Sequence, residues 1–335
     1  VSAYQAISAA HAVPADQQSA VRIGADSLDA LDGDAMARLR ADLAEFTDLD
    51  GLLISATSTP WFGATPQDEH EAEQMVALVD RLRTELLPTA RDRGARAAAE
   101  VGMPAPSTLA DLEALATLLG DVMAVETVFS RDLWGEPVHR MAAATADRRT
   151  RRSLADGPGL RERRSLRATV QRLLRTGTND DEARQAQMLD RAADVVDRWS
   201  AVAHDNRLPR TGDSAAGAVE AWTQAAAALT ALRALHPQAV PDELDLAGVA
   251  ARLSMLATDA QWARRLPRLT AAAADLADAG FGPVVADLRA RREAGESVTG
   301  ESAVAVLDSV VAASLAEQIE QTNPCLLYTS DAADD

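Results

Sequence analysis

The chain has 335 residues, of which 47% are hydrophobic and only 3% aromatic, and its 33 basic residues are outnumbered by 51 acidic ones. Every basic residue is an arginine, which excludes Schiff-base lysine chemistry and a lysine on the phosphates of a P-loop from this sequence. The net charge of −18 argues against a surface that binds nucleic acid or membranes over its whole extent.

Helical patterns run through nearly the whole sequence. Ala, Leu and Arg make up the bulk of the chain, and β-branched Ile is rare, so helix formers dominate. Hydrophobic residues recur at helical spacing in about nine or ten segments, and residues 52–55 are the single strand candidate. The predicted fold class is all-α. Short loops between long helices favour an elongated antiparallel helical bundle, or coiled-coil-like stalk.

Capping patterns mark the ends of several predicted helices. Thr108 and Asp111 have the spacing of a capping box, in which each residue bonds the backbone of the other. Gly280 and Pro283 predict the end of one helix and the start of the next. Pro88 is expected to kink or end the long helix that begins after Thr65, because proline cannot donate a helical hydrogen bond.

The sequence divides into five predicted segments. They are 1–64, with N-terminal helices and a Trp-containing loop; 65–147, a long helical hairpin; 148–177, an Arg-rich helical hairpin; 178–324, a C-terminal bundle; and 325–335. The last segment resembles a translated sequencing adapter, so we expect it to be non-native. Since Val1 is neither a start Met nor part of a signal peptide, we expect truncation at both ends.

Motifs for catalysis, metal binding and membrane insertion are missing from the sequence. The five His residues never form an i, i+4 pair, and there is no phosphate-binding Gly-rich loop. The acidic run 68–73 is typical of the first turn of a helix, where it complements the dipole. The longest uncharged run, 51–67, contains two prolines and does not fit a membrane helix. We therefore expect no enzymatic activity, no bound cofactor or metal, and no membrane partner for this stretch. The one Cys lies within 325–335, and a native stretch without Cys favours the cytoplasm.

An arginine-rich segment breaks the acidic pattern. Residues 148–175 contain ten arginines against two acidic residues. Arginine binds phosphates through paired hydrogen bonds, so this segment could contact DNA or RNA. The candidate contacts are Arg148, Arg149, Arg151, Arg152, Arg161, Arg163, Arg164 and Arg167. No aromatic residue lies among them, which does not support stacking on the bases of a single strand. The alternative is that the hairpin pairs with acidic neighbouring helices.

The loop from Thr59 to Gly63 holds the densest aromatic cluster, Trp61 and Phe62. These two rings are candidates for docking against a neighbouring domain. The alternative is a turn that packs on its own bundle.

The order of these features resembles a known family. In chain order, these features are residues 39–53, the Thr-Pro-Trp-Phe-Gly-Ala loop at 59–64, the helix with an acidic start, Val-Gly-Met-Pro-Ala-Pro at 101–106, the Arg-rich hairpin, and Ala-Ser-Leu-Ala-Glu at 313–317 before Asn-Pro at 323–324. Together they look like the helical region of large actinobacterial superfamily-1 helicases of the AAA-domain type. The resemblance covers nearly all of residues 1–324.

The resemblance implies an antiparallel stalk inserted between the Walker A and Walker B halves of a motor lobe. ATP and Mg²⁺ would bind to the rest of that ATP-dependent helicase, and no catalytic residue is carried over to this chain. Two hypotheses follow. The chain is a non-catalytic helicase region that positions nucleic acid or a partner domain, or it is a free-standing helical scaffold for protein interactions with no nucleic-acid role.

Overall fold

The computed structural model describes residues 19–55, 57–146, 157–175, 182–203 and 208–322. Over these ranges it contains twelve α-helices of eight or more residues, one short helix at Ala25–Asp29, and no strand. Two isolated antiparallel bridges, Thr108 with Asp245 and Phe129 with Leu174, are the extent of β-pairing there. The predicted all-α class is confirmed.

The chain forms two compact units. The terminal unit combines residues 1–76 with residues 258–335, and the central unit comprises residues 77–257. The segments predicted from loop positions divide the chain differently, because a loop pattern does not reveal that the two ends of a chain pack together.

The terminal unit is built around helix α1, Gly33–Asp48. Helices α10 (Ala260–Asp278) and α12 (Gly300–Thr322) both pack on it, and α11 (Gly282–Glu293) packs on α12. Helix α2 (Glu69–Arg81) begins in this unit and ends in the central one. The buried side chains of α1, α10, α11 and α12 form one hydrophobic core, in which Leu43 and Phe281 have no exposed surface.

The central unit is a bundle in which α3 (Leu87–Val101) and α4 (Leu109–Val128) pack on each other and on α8. Its remaining helices are α5 (Val138–Thr145), α6 (Leu160–Leu173), α7 (Glu182–Val202), α8 (Ala215–Leu235) and α9 (Leu246–Thr258). Helix α7 packs on α4 and α5, and α6 packs on α5. The core is largely aliphatic, with Phe129, Trp134 and Trp199 as its large aromatic members.

Two predicted helix boundaries are confirmed in detail. The Thr108 side chain accepts from the Asp111 amide, and the Asp111 carboxylate accepts from the Thr108 amide at 3.0 Å. Helix α10 stops at Gly280, whose φ of +84° is the left-handed conformation that favours glycine. Pro283 then lies in the first turn of α11, where its missing N–H costs no helical bond.

The strand prediction is wrong, and of the two outcomes predicted for Pro88, a kink or an end of the helix, the end does not occur. Residues 52–55 are not a strand: Gly51–Leu53 is a short 3₁₀ turn that follows Asp50 in the left-handed region, with φ of 63°. Pro88 does not end the helix. The backbone passes through a π-helical turn, Leu82–Leu86, and the Leu87 amide bonds back to Leu82. This wider turn absorbs the irregular bonding next to proline, so Pro88 lies in the first turn of α3.

Helix α12 is long and apolar enough to cross a bilayer by length and composition, which the sequence prediction overlooked. In the structure one side of it, including Ala303, Leu307 and Val310, is buried in the core of the terminal unit. A core helix of this kind passes the same test of length and hydropathy.

Candidate nucleic-acid interface

The described part of the Arg-rich segment is helix α6. Its apolar residues Leu166, Val170 and Leu173 are spaced as i, i+4 and i+7 and therefore share one face. Val170 and Leu173 are buried in the core of the central unit, and Leu166 is partly buried against it. This apolar face fixes which arginines point outward.

The end of α6 is tied to the end of α4 by backbone hydrogen bonds. The Ser130 amide donates to the carbonyl of Leu173 at 2.8 Å, and the Arg175 amide donates to the carbonyl of Val128 at 3.0 Å. These bonds flank the bridge between Phe129 and Leu174. Helix α6 is therefore held by main-chain contacts as well as by its apolar face, so its outward face has a defined position on the unit.

Two of the predicted contact residues lie on the outward face of α6. Arg161 and Arg164 are both exposed, and neither forms an ion pair with another residue of the described ranges. Ser165 and Ala168 are exposed on the same face. In a chain with 51 acidic residues, unpaired neighbouring arginines present a local positive surface.

Of two other predicted contact residues on α6, Arg167 is exposed but also bonds α5, and Arg163 is half-buried. Arg167 donates from Nε to the carbonyl of Ala144 at 3.3 Å, in the last turn of α5. This satisfies a carbonyl that the helix end leaves without an intrahelical partner. Arg163 is half-buried, and its buried Nε has no hydrogen-bond partner among the described residues. The remaining predicted residues, Arg148, Arg149, Arg151 and Arg152, lie outside the described residues.

Two acidic side chains on or beside α6 form ion pairs. Glu162 on α6 pairs with Arg140 on α5 at 2.6 Å, and Glu136 pairs with Arg172 near the end of α6 at 3.0 Å. Both ion pairs are at least partly exposed, so each contributes at most about 1 kcal/mol to stability. One of these pairs, Arg172 with Glu136, joins an arginine of the Arg-rich segment to an acidic neighbour, whereas Glu162 is an acidic residue of the segment itself.

The two aromatic residues predicted to dock a neighbouring domain differ in exposure. Trp61 has no exposed surface, whereas Phe62 is 41% exposed. The loop that carries these two residues is attached to the start of α10, because the Thr59 hydroxyl donates to the carboxylate of Asp259 at 2.7 Å. The chain itself therefore covers Trp61, and of this pair only Phe62 presents an exposed ring.

A buried carboxylate that the sequence reasoning missed links α4 to α7. Asp121 is 7% exposed, and its carboxylate accepts from Nε of Arg191 at 2.7 Å and from the guanidinium of Arg198. The signal was present in the sequence, since Asp121 lies between Leu118 and Val125 in the apolar pattern of α4. An acidic residue in such a stripe indicates a buried partner of opposite charge.

A second carboxylate, Glu126, is one turn further along α4 and 8% exposed. It accepts from Nε of Arg131 at 3.0 Å and from the indole N–H of Trp134 at 3.3 Å. In this region Glu100 accepts from the amide and hydroxyl of Ser214 at the start of α8, and these bonds lower the pKa of Glu100. These carboxylates cap helices and pair with arginines, which are structural roles.

The described residues do not fit a bound Mg²⁺–ATP. Within those ranges no three His, Cys, Asp or Glu side chains come together as metal ligands. The sequence also has no lysine for the phosphates.

No protein-family model matches the chain, and neither the curated proteins nor the solved structures contain one with significant similarity to it.

Proposed function

We propose that this chain is a non-catalytic helical region that positions nucleic acid, with the outward face of α6 as its contact surface. The observation that carries the proposal is the pair Arg161 and Arg164, exposed on one turn of a fixed helix and unpaired within the described residues. Arginine at such a position binds phosphate through paired hydrogen bonds, and each neutralised phosphate releases counterions.

The larger protein in which this region acts is proposed to be an ATP-dependent superfamily-1 helicase in the cytoplasm. The support is the order of sequence features given above, together with an all-α chain that carries no residues for ATP. In this proposal the helices form an elongated antiparallel stalk, and the rest of the motor is their partner. Sequencing the source DNA beyond both ends of the reading frame tests this part. A Walker A motif upstream and an Asp-Glu motif downstream support a helicase; a short frame with its own start and stop codons refutes it.

The contact surface is tested by salt-dependent DNA binding of the Arg161→Ala/Arg164→Ala variant. We expect weaker binding and a smaller dependence on salt concentration, since two phosphate contacts are lost. The matched control is Arg81→Ala/Arg83→Ala, which removes the same charge from exposed ion pairs elsewhere. Equal losses in both variants would mean that only the overall charge matters, and the proposal would fail.

The second candidate function is a helical scaffold for protein interactions. It is favoured by the ion pairs of Glu162 with Arg140 and of Arg172 with Glu136, which use the Arg-rich segment to hold the bundle together. This function predicts that Arg163→Ala and Arg167→Ala lower stability or self-association. It also predicts that Arg161→Ala/Arg164→Ala has no effect on either. Thermal unfolding and sedimentation of these variants separate the two functions.

A further inference from the structure

The outward face of α6 carries a short strip of four residues that share one side of the helix. Arg161, Arg164, Ser165 and Ala168 are spaced as i, i+3, i+4 and i+7, the spacing of neighbours on a helix surface. All four are exposed. We call them the α6 strip.

The strip has the chemistry of a phosphate contact. The two guanidinium groups carry fixed positive charge, and the Ser165 hydroxyl is a neutral donor of the kind that commonly bonds phosphate oxygens. Ala168 is small, so a backbone can approach the helix closely at this point. Two acidic side chains on or beside the helix are in ion pairs, Glu162 with Arg140 and Glu136 with Arg172.

The strip lacks the aromatic rings on which the bases of a single strand stack. Single-stranded nucleic acid is held largely by stacking of its bases on aromatic rings. The large aromatic side chains around α4 and α7 are unavailable for this, since Trp134 is 4% and Trp199 is 1% exposed. Within α6 itself there is no aromatic residue. A duplex keeps its bases stacked internally and presents a dense row of phosphates instead.

We propose that the α6 strip binds the phosphodiester backbone of double-stranded DNA without reading its sequence. This inference rests on the proposed function and narrows it to one form of nucleic acid. A helix surface only about 10 Å long contacts few phosphates, because the helix rises 1.5 Å per residue. Two arginine contacts correspond to a slope of about 1.8 in the dependence of log affinity on log salt, at about 0.9 per phosphate.

The test is fluorescence anisotropy with the whole chain, from low to physiological salt. The probes are a short duplex, a second duplex of unrelated sequence, and one of the separated strands. We expect both duplexes to bind equally and more tightly than the single strand. Arg161→Ala/Arg164→Ala should lower the salt slope for duplex by about 1.8.

The variant Ala168→Glu places a carboxylate at the C-terminal end of the strip, one helical turn from Arg164, and should weaken duplex binding at low salt at least tenfold, by roughly 1.4 kcal/mol. Its control is Ala227→Glu, which makes the same change at an exposed position on α8. Far-UV circular dichroism checks that each variant is folded. Ser165→Ala, which favours the helix, gives a second and milder perturbation of the strip.

The outcomes separate this inference from the proposed function. If Arg161→Ala/Arg164→Ala binds every probe like the unmodified chain, the α6 surface is not a contact and both proposals fail. If that variant loses binding but the single strand binds as tightly as the duplex, the proposed function stands and the duplex inference is refuted. Preference for one of the two duplexes would also refute it.

Discussion

The buried carboxylate of Asp121 gives a stability prediction that can be worked out from the structure. Asp121 on α4 is 7% exposed and binds Arg191 and Arg198, both on α7. In Asp121→Asn the shape is kept, but the negative charge between the two guanidinium groups is lost. Hydrogen bonds to charged groups contribute about 1.5–3 kcal/mol each, and breaking a fully buried pair costs about 3–5 kcal/mol.

The magnitude is reduced by the exposure of the arginines. Their side chains are 45% and 43% exposed, so water compensates for part of the lost charge, and the Asn carbonyl still accepts one bond. We therefore expect a loss of about 2 kcal/mol in the free energy of unfolding. For a unit of this size that corresponds to a decrease in Tm of about 4–8 °C.

Urea unfolding followed by tryptophan fluorescence, together with thermal unfolding by circular dichroism, measures this loss. Glu220→Gln on α8 is the control, since it makes the same change at an exposed position and should stay within about 0.5 kcal/mol of the unmodified chain. A double-mutant cycle of Asp121→Asn with Arg198→Gln should show a coupling energy above about 0.5 kcal/mol. If Asp121→Asn is as stable as the control variant, or if the cycle is additive, the ion pairs of Asp121 with Arg191 and Arg198 do not stabilise the unit.

Two further predictions concern stability. Burial, and then the carboxylate of Asp275, raise the pKa of Asp42 above its ordinary value of 3.8, so ionised Asp42 destabilises the fold once the pH rises through that raised pKa. Asp42→Asn should therefore increase Tm at neutral pH, and the gain should disappear below about pH 3.8; an equal gain at both pH values would contradict this. Trp134→Phe should destabilise the chain more than Trp199→Phe, because Trp134 donates to Glu126, whereas the buried indole N–H of Trp199 has no hydrogen-bond partner among the described residues. Equal free energies of unfolding in urea for the two variants would refute this prediction.

Helix capping was predictable because it depends on residues close in sequence. The capping box of Thr108 and Asp111 and the stop at Gly280 involve backbone groups within a few residues, so spacing alone identifies them. The contact surface was predictable only in part. Sequence shows that α6 is rich in arginine, but it does not show that Arg167 bonds a carbonyl on α5 while Arg161, also exposed, has no such bond within the described residues.

The sequence by itself determined that this protein is all-α, because helix formers, helical spacing of apolar residues and local caps all act over a few residues. Only the tertiary structure decided that residues from both ends of the chain form one unit, since that packing joins segments about two hundred residues apart. It also decided that Asp121 is a buried partner of two arginines and that Arg161 and Arg164 remain outside. The physical reason is that burial depends on which helix faces meet, and no local pattern specifies the face of a distant helix.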